Sequence, residues 1–276
     1  MNNIEIIHKA ELETLNDVIR SFEKHGIKYY LGFGTLLGAI RHQGFIPWDD
    51  DVDLFIPRPD FEKIKRYGDD IIPLPYILSG NTISNDSPHT FILRIENPSK
   101  SFHIEKNGQV LKQNVWLDLF PIDGMPSNRL SRALLFFRLR IQFMLLRIAR
   151  SSILGVAKNT KRSFAEKCVI AINKVFHIGR LFKLRNVVDR FDKILTKHSF
   201  GNSKYVCPLT IDYMEKCICD RDWFGEGVMI AFENLEKVVV PNDSDAILKN
   251  IYGDYKQLPP VEKRQPKHSI LINGVQ

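Results

Sequence analysis

Cysteine is scarce in this chain. Cys168, Cys207, Cys217 and Cys219 are the four among 276 residues. That density is far below that of a disulfide scaffold and fits a reducing compartment. Cys207, Cys217 and Cys219 could hold zinc with His198, but the spacing matches no standard module, and plain thiols are the favoured reading. No run of about 18 uninterrupted apolar residues occurs, so a membrane-spanning helix is not expected. Residues 1–10 lack a basic stretch followed by an apolar one, so no secretory leader is expected. Repeats and low-complexity segments are also missing. A cytoplasmic globular protein fits these absences, and a hydrophobic content of 44% is enough to bury a core.

Charge is present but uneven. Residues 129–193 hold sixteen Lys/Arg and three acids (Glu166, Asp189 and Asp192), a local charge of +13; the whole chain is +7, so the rest sums to −6. A basic middle with an acidic site elsewhere suits a polyanionic partner or an anionic membrane surface.

The apolar spacing places Leu12, Leu15, Val18, Ile19 and Phe22 on one helical face, closed by Gly26. "IKYYLGFG" reads as a strand, "TLLGAIRHQG" as a short helix from Thr35 to Gly44, "DVDLFIP" as a strand and "RPDFEKIKRYGDD" as a helix. This order predicts an α/β (α+β) core. "HTFILRIEN" and "KSFHIEK" read as paired strands, with "NGQV" as a hairpin turn. "NVWLDLFPIDG" reads as a strand that ends at Pro121, with Asp123 in the turn. Residues 128–198 read as helices. The expected division is a catalytic core over 1–127, a basic helical insertion over 128–198, and a part over 199–276 that completes the core.

Four carboxylates crowd into five positions of "GFIPWDDDVDLFIP", residues 44–57: Asp49, Asp50, Asp51 and Asp53. Asp51 and Asp53, two apart on a strand, share a face and suit a hard divalent cation. Asp49 shares their parity. An EF-hand fails, because Leu54 stands where that loop needs glycine. A solvated acidic turn is the bland alternative. Upstream, Gly32 and Gly34 precede a helix start at Thr35, a place where backbone N–H groups bind phosphate well. Arg41 is near enough to pair with a phosphate oxygen or, equally, to sit on the helix surface. Asp118 in "VWLDLFPIDG" offers a third acid inside an apolar strand, where it needs a partner.

"GTLLGAIRHQGFIPWDDDVDL", "WLDLFPIDG" and "IYGDYKQLPP" together resemble the LicD family, which includes bacterial phosphorylcholine transferases and is related to fukutin-type ribitol-phosphate transferases. The resemblance runs from about Ile27 to Pro260. It implies a nucleotidyltransferase-like mixed sheet, with Gly34-Thr35 as the Gly-Ser/Thr pair. Asp49, Asp51, Asp53 and Asp118 would be metal ligands, and Asp51, Asp53 and Asp118 catalytic. The implied cofactor is Mg²⁺, with Mn²⁺ as a substitute. The implied reaction moves a substituted phosphate from a CDP-alcohol, CDP-choline first among them, to a sugar hydroxyl of a teichoic acid, lipooligosaccharide or capsule precursor, and CMP leaves. Asp254 of "YGDY" would orient a loop or touch the acceptor. Lys263, Arg264, Lys267 and His268 form either a closing tail or a solvated one.

Two other classes stay open: a glycosyltransferase holding a nucleotide-sugar through its Asp-x-Asp, and a silent membrane-docked scaffold. No nucleic-acid module is present. "RLSRALLFFRLRIQFMLLRIARSS", residues 129–152, has five interior arginines and no acid. It reads either as an interfacial helix reaching anionic headgroups or as a packed helix with arginines on its rim. Trp48, Trp116, Tyr30, Phe33 and Tyr76 are available for a choline cage, though each reads equally as core.

Overall fold

The computed structural model describes residues 3–80, 91–106, 109–154, 183–211, 214–266 and 270–271. Six α-helices and ten strands occur among them: α1 (Asn3–His25), β1 (Tyr30–Leu31), α2 (Phe33–His42), β2 (Val52–Pro57), α3 (Arg58–Ile71), β3 (Ile77–Ser79), β4 (Leu93–Lys106), β5 (Gln109–Met125), α4 (Arg129–Leu154), α5 (Leu184–Leu195), β6 (Tyr205–Cys207), β7 (Cys219–Asp220), β8 (Val228–Phe232), β9 (Leu235–Val240), α6 (Ser244–Tyr252) and β10 (Ile270–Leu271).

The main sheet runs β1-β2-β5-β4-β10, with β3 on β4 and β6 joining β5 to β7. Only β2 and β5 pair in parallel in it. The mixed α/β class expected from the element order is therefore the class observed. Strands from the last third of the chain, β6 and β10, enter the same sheet as the N-terminal strands. Leu135, Phe136 and Leu139 of α4 and Phe191 of α5 share the main core with β2 and β5, so the helices of the basic middle pack on the sheet.

The long strands differ from the expectation. "LRIEN" and "SFHIEK" do not pair with each other. They are one strand, β4, with an irregularity between Asn97 and Ser101, and both halves pair with β5. The Asn97 side chain explains the break: its Nδ2 donates to Thr14 Oγ1 (2.9 Å) and its Oδ1 accepts from the Ser99 N–H (3.1 Å), which turns the chain locally. Residues 107 and 108 of the expected hairpin turn lie outside the described residues, but Lys106 and Gln109 are register partners on either side of them.

β5 also continues through Pro121 to Met125. Its pairing with β4 ends at Leu119 and its pairing with β6 begins at Asp123. Proline falls in that gap, where its missing N–H removes no bond from either antiparallel ladder.

Asp123 is a strand residue, not a turn residue. It is fully buried and accepts two bonds from Arg58, at 2.5 Å from Nε and 2.9 Å from Nη2. This fork ties the first turn of α3 to β5. Arg58→Ala would leave a buried carboxylate without its cation. We expect a loss of about 3–5 kcal/mol in urea unfolding, with an unchanged denaturant slope; a loss below about 1 kcal/mol would show that the pair is not integral to the core.

Candidate active site

The site is built around the corner where β1 turns into α2. Gly32 donates its N–H to the Asp53 carbonyl (2.8 Å), and Thr35 Oγ1 accepts the Asp53 N–H (2.9 Å). Both backbone groups of Asp53 are thus held by the corner, and the Thr35 hydroxyl is buried in that task. The helix begins at Phe33, two residues before the expected start, so Gly34 lies in its first turn. Phe33 has a φ of 37°, an unfavourable value for a side chain. Its ring is wedged edge-on between Phe55 (4.6 Å) and Phe120 (5.0 Å), which holds it there.

The carboxylates enter on the next loop. Ile46-Pro47-Trp48-Asp49 closes a turn through the Asp49 N–H and the Ile46 carbonyl (2.9 Å), with proline in a position that suits its fixed φ. Asp49 then packs against the first turn of α2: a Cβ on Gly34 would stand 2.3 Å from Asp49 Oδ2. Any side chain at 34 would push the Asp49 carboxylate aside. Gly44 was expected to end α2, but the helix stops at His42 with Gln43 in the left-handed region. Gly44 instead makes room for Glu233, since a Cβ there would meet Glu233 Oε1 at 2.0 Å and displace that side chain. Glu233 sits in the β8–β9 turn and braces the loop, accepting the Phe45 N–H (2.9 Å) and donating its own N–H to the Gln43 carbonyl (3.0 Å).

Asp49, Asp50 and Asp51 can bring one carboxylate oxygen each within 4.8 Å of one another. Asp49 and Asp50 are buried and Asp51 is half-buried. The expected ligand set had Asp53 and Asp118 in place of Asp50. Asp51 precedes β2 instead of lying on it, so the alternation that was expected to align it with Asp53 does not apply.

Asp53 and Asp118 are register partners on the parallel strands β2 and β5. Their side chains leave the same face about 4.8 Å apart at the backbone. Asp118 has the partner that its burial demands: Arg94 of β4 donates from Nε (2.7 Å) and Nη2 (2.9 Å), and Trp116 Nε1 donates at 3.2 Å. The Arg94 guanidinium lies over the Trp116 ring at 4.6 Å. Oδ2 takes two of these three bonds and Oδ1 takes one, which leaves Oδ1 a second lone pair.

Two residues of α1 were missed. His8 donates from Nε2 to the Asp49 carbonyl (2.6 Å) and stacks on Phe45 (4.2 Å). Glu11 is 1% exposed and, among the described residues, its Oε2 has no hydrogen-bond partner. Burial, then the charges of Asp51, Asp49, Asp50 and Asp53, push its carboxyl well above the usual carboxylate range. Glu11 is a fifth acid at the cluster. The spacing held the signal: Ile4, Ile7, Glu11, Leu15, Val18 and Phe22 follow the helical period, which puts an acid on the buried stripe.

Arg41 does not lie open to a ligand on every side. Its Nη1 donates to the Tyr255 carbonyl (2.8 Å) and its Nε to His42 Nε2 (3.0 Å). Burial and then the nearby Arg264 lower its pKa. Arg264 itself rests over the Trp48 ring at 5.7 Å, so this part of the tail folds back beside the acidic loop. Lys267 and His268 lie outside the described residues. In "YGDY", Asp254 is exposed on a turn and Tyr255 is the anchor, buried and donating to Asp245 Oδ1 (2.8 Å). Tyr30, Phe33, Trp116 and Tyr76 are buried, which leaves Trp48 as the half-buried ring among the cage candidates. Cys207, Cys217 and Cys219 are buried thiols; burial pushes Cys217 and Cys219 up to about 12, and Cys207 Sγ donates to the Met214 carbonyl.

Residues 26–74, which contain the corner and the whole acidic loop, match the family described as LicD/FKTN/FKRP, nucleotidyltransferase domain. That segment is a LicD-family domain. The similarity to a lipopolysaccharide cholinephosphotransferase of Haemophilus influenzae is broader: 24% identity over 252 residues, 89% of this chain and 88% of the relative. Human ribitol 5-phosphate transferase FKRP is 50% identical over 48 residues, 17% of this chain and 10% of its own. An uncharacterised Rickettsia prowazekii protein is 31% identical over 109 residues, 40% of this chain and 39% of its own. Within the LicD-family segment lie Gly34, Thr35, Arg41 and the four clustered aspartates; Glu11, Arg94, Asp118 and Asp254 lie outside it.

Glu11 yields a pH test. An unfolded glutamate ionises near 4.5, whereas the buried one keeps its proton to higher pH. Its contribution to stability is full below pH 4.5 and falls as pH rises toward the folded value. Glu11→Gln in metal-free protein is expected to raise the melting temperature by a few degrees at pH 8 and by less at pH 5. An equal gain at both pH values would mean that Glu11 is not held protonated.

Proposed function

We propose that this chain is a divalent-cation-dependent phosphotransferase that moves a substituted phosphate from a CDP-activated alcohol to a sugar hydroxyl of a cell-surface glycan. CDP-choline is the leading donor, and the acceptor class is a lipooligosaccharide, teichoic acid or capsule precursor. The observation that carries the reading is the approach of three aspartate carboxylate oxygens to within 4.8 Å of one another, with Asp49 against the first turn of α2, inside the LicD-family segment. The similarity to a lipopolysaccharide cholinephosphotransferase supports the substrate class.

The donor set fits the cation. Carboxylate oxygens are the ligands Mg²⁺ and Mn²⁺ prefer, and Glu11 Oε2 is a further buried oxygen beside them. Asp49, Asp50 and Asp51 would hold the ion, with Asp53 and Asp118 next to them. Once bound, it neutralises diphosphate charge and lowers the pKa of a coordinated hydroxyl.

The chain's own groups do the rest. The N-terminal end of α2 presents a positive dipole to phosphate. Arg41 and Arg264 repel each other, and an anion placed between them relieves that repulsion. The acceptor oxygen attacks the phosphorus that carries the alcohol, its proton passes to Asp53 or Asp118, and the bond to CMP breaks. A CDP-activated donor suits a cytoplasmic site of action.

Melting curves with Mg²⁺ and a panel of CDP-choline, CDP-ribitol, CDP-glycerol and UDP-sugars test this. One CDP-alcohol should raise the midpoint, only with Mg²⁺ present, and Asp51→Asn should abolish the shift and at least about 99% of CMP release while keeping the fold. A shift with a UDP-sugar alone would move the chain to the glycosyltransferases, and no shift with any CDP-alcohol would overturn the donor assignment.

A further inference from the structure

α4 buries one face and leaves the other uncovered. Leu135, Leu139 and Leu146 point into the protein. On the opposite side, Leu130, Leu134, Phe137, Ile141 and Met144 follow one another at intervals of four, three, four and three, which stacks them in a single stripe along the helix. They are far from covered: Leu130 is 80% exposed, Phe137 60%, Leu134 59% and Met144 43%, with Ile141 half-buried. Isolated exposed leucines are ordinary, but an ordered apolar stripe about 20 Å long (fourteen steps at 1.5 Å each) is a contact surface.

Its borders are basic. Arg129, Arg140 and Arg147 fall in one row along one edge, and Arg138 stands on the other; all four are exposed. Arg140 also pairs with Glu215. No acid occurs anywhere in residues 129–154. α5, which packs beside α4 through Phe143 and Phe191 (4.7 Å), adds exposed Arg185, Arg190 and Lys193 against Asp189 and Asp192. No described helix is long and apolar enough to cross a membrane.

We infer that α4 lies on an anionic lipid surface, with the Leu130–Met144 stripe in the acyl boundary and the bordering arginines among the headgroups. Charge complementarity selects this occupant. A second copy would set one acid-free arginine border against another. Residues 155–182 bring six more Lys/Arg and one acid, Glu166, so they cannot answer the arginines either. An anionic bilayer supplies both the apolar layer and the opposite charge, and long arginine side chains reach headgroups from a helix lying flat.

Co-sedimentation of the full chain with lipid vesicles tests this. Binding should be seen with vesicles containing phosphatidylglycerol, should weaken at high salt, and should be much lower with phosphatidylcholine alone. The double exchange Leu134→Glu and Phe137→Glu should reduce binding at least about tenfold without lowering the melting temperature, because both side chains are exposed. Arg129→Gln with Arg138→Gln should reduce it selectively on anionic vesicles. The inference is overturned if the wild-type chain ignores anionic vesicles, if it binds both vesicle types alike, or if the double exchange leaves binding intact. A drop in melting temperature of the double variant would show the stripe covered by the chain itself, and a dimer dissolved by the same exchange would show it covered by a second copy; either also overturns it.

Discussion

Like charges at close quarters are the constraint around which this molecule is arranged. Two carboxylates about 4 Å apart repel by about 1 kcal/mol in water and about 4 kcal/mol at a protein-like dielectric. Here Glu11 and four aspartates face one another, and Glu11, Asp49, Asp50 and Asp53 are buried to below a tenth of their surface. A loop so charged would swing outward unless its backbone were held. It is held from three sides: His8 grips the Asp49 carbonyl, Gly32 and Thr35 grip both backbone groups of Asp53, and Glu233 grips the Phe45 N–H. None of these bonds touches an aspartate side chain. These bonds restrain the main chain and so hold the acidic loop in place through its backbone.

Acids elsewhere in the same sheet are treated differently. Asp118 and Asp123 each receive a forked arginine, Arg94 and Arg58. The Arg58 fork joins α3 to β5 and is a packing element. The Arg94 fork lies in one row with Asp53 and Asp118 across three strands, because Asp53 pairs with Asp118 and Asp118 with Arg94. That row grades the charge from the acidic cluster toward a cation stacked on Trp116. The stretch 44–57 contains no Lys or Arg of its own, so every neutralising group for the cluster comes from distant sequence or from a ligand.

Much of this was legible in the chain before any coordinates. The class of fold followed from the alternation of strand and helix patterns between Ile27 and Ile71. Asp49, Asp51, Asp53, Gly34 and Thr35 were singled out because they are close in sequence and carry distinct chemistry. What escaped depends on distances that sequence spacing does not encode. Asp118 was read as needing a partner, but Arg94 lies 24 residues away and meets it only through strand register. Asp123 looked like a turn residue because Pro121 precedes it and Gly124 follows; the gap between two ladders admits the proline instead. Glu11 was overlooked although it sits on the apolar stripe, because an acid among leucines is usually taken as solvated. Its burial makes sense only beside the aspartates that α1 covers.

The separation of charge along the chain has a physical logic of its own. An arginine forked onto the acidic loop would occupy the oxygens that the proposed dication requires. The described part of the +13 block of residues 129–193 lies on α4 and α5, helices whose inner faces join the core. At long range such a block attracts polyanions, while the acidic cluster repels them at short range. The two opposite charges are carried by distinct elements: the cations by α4 and α5, the acids by the α1–β2 junction.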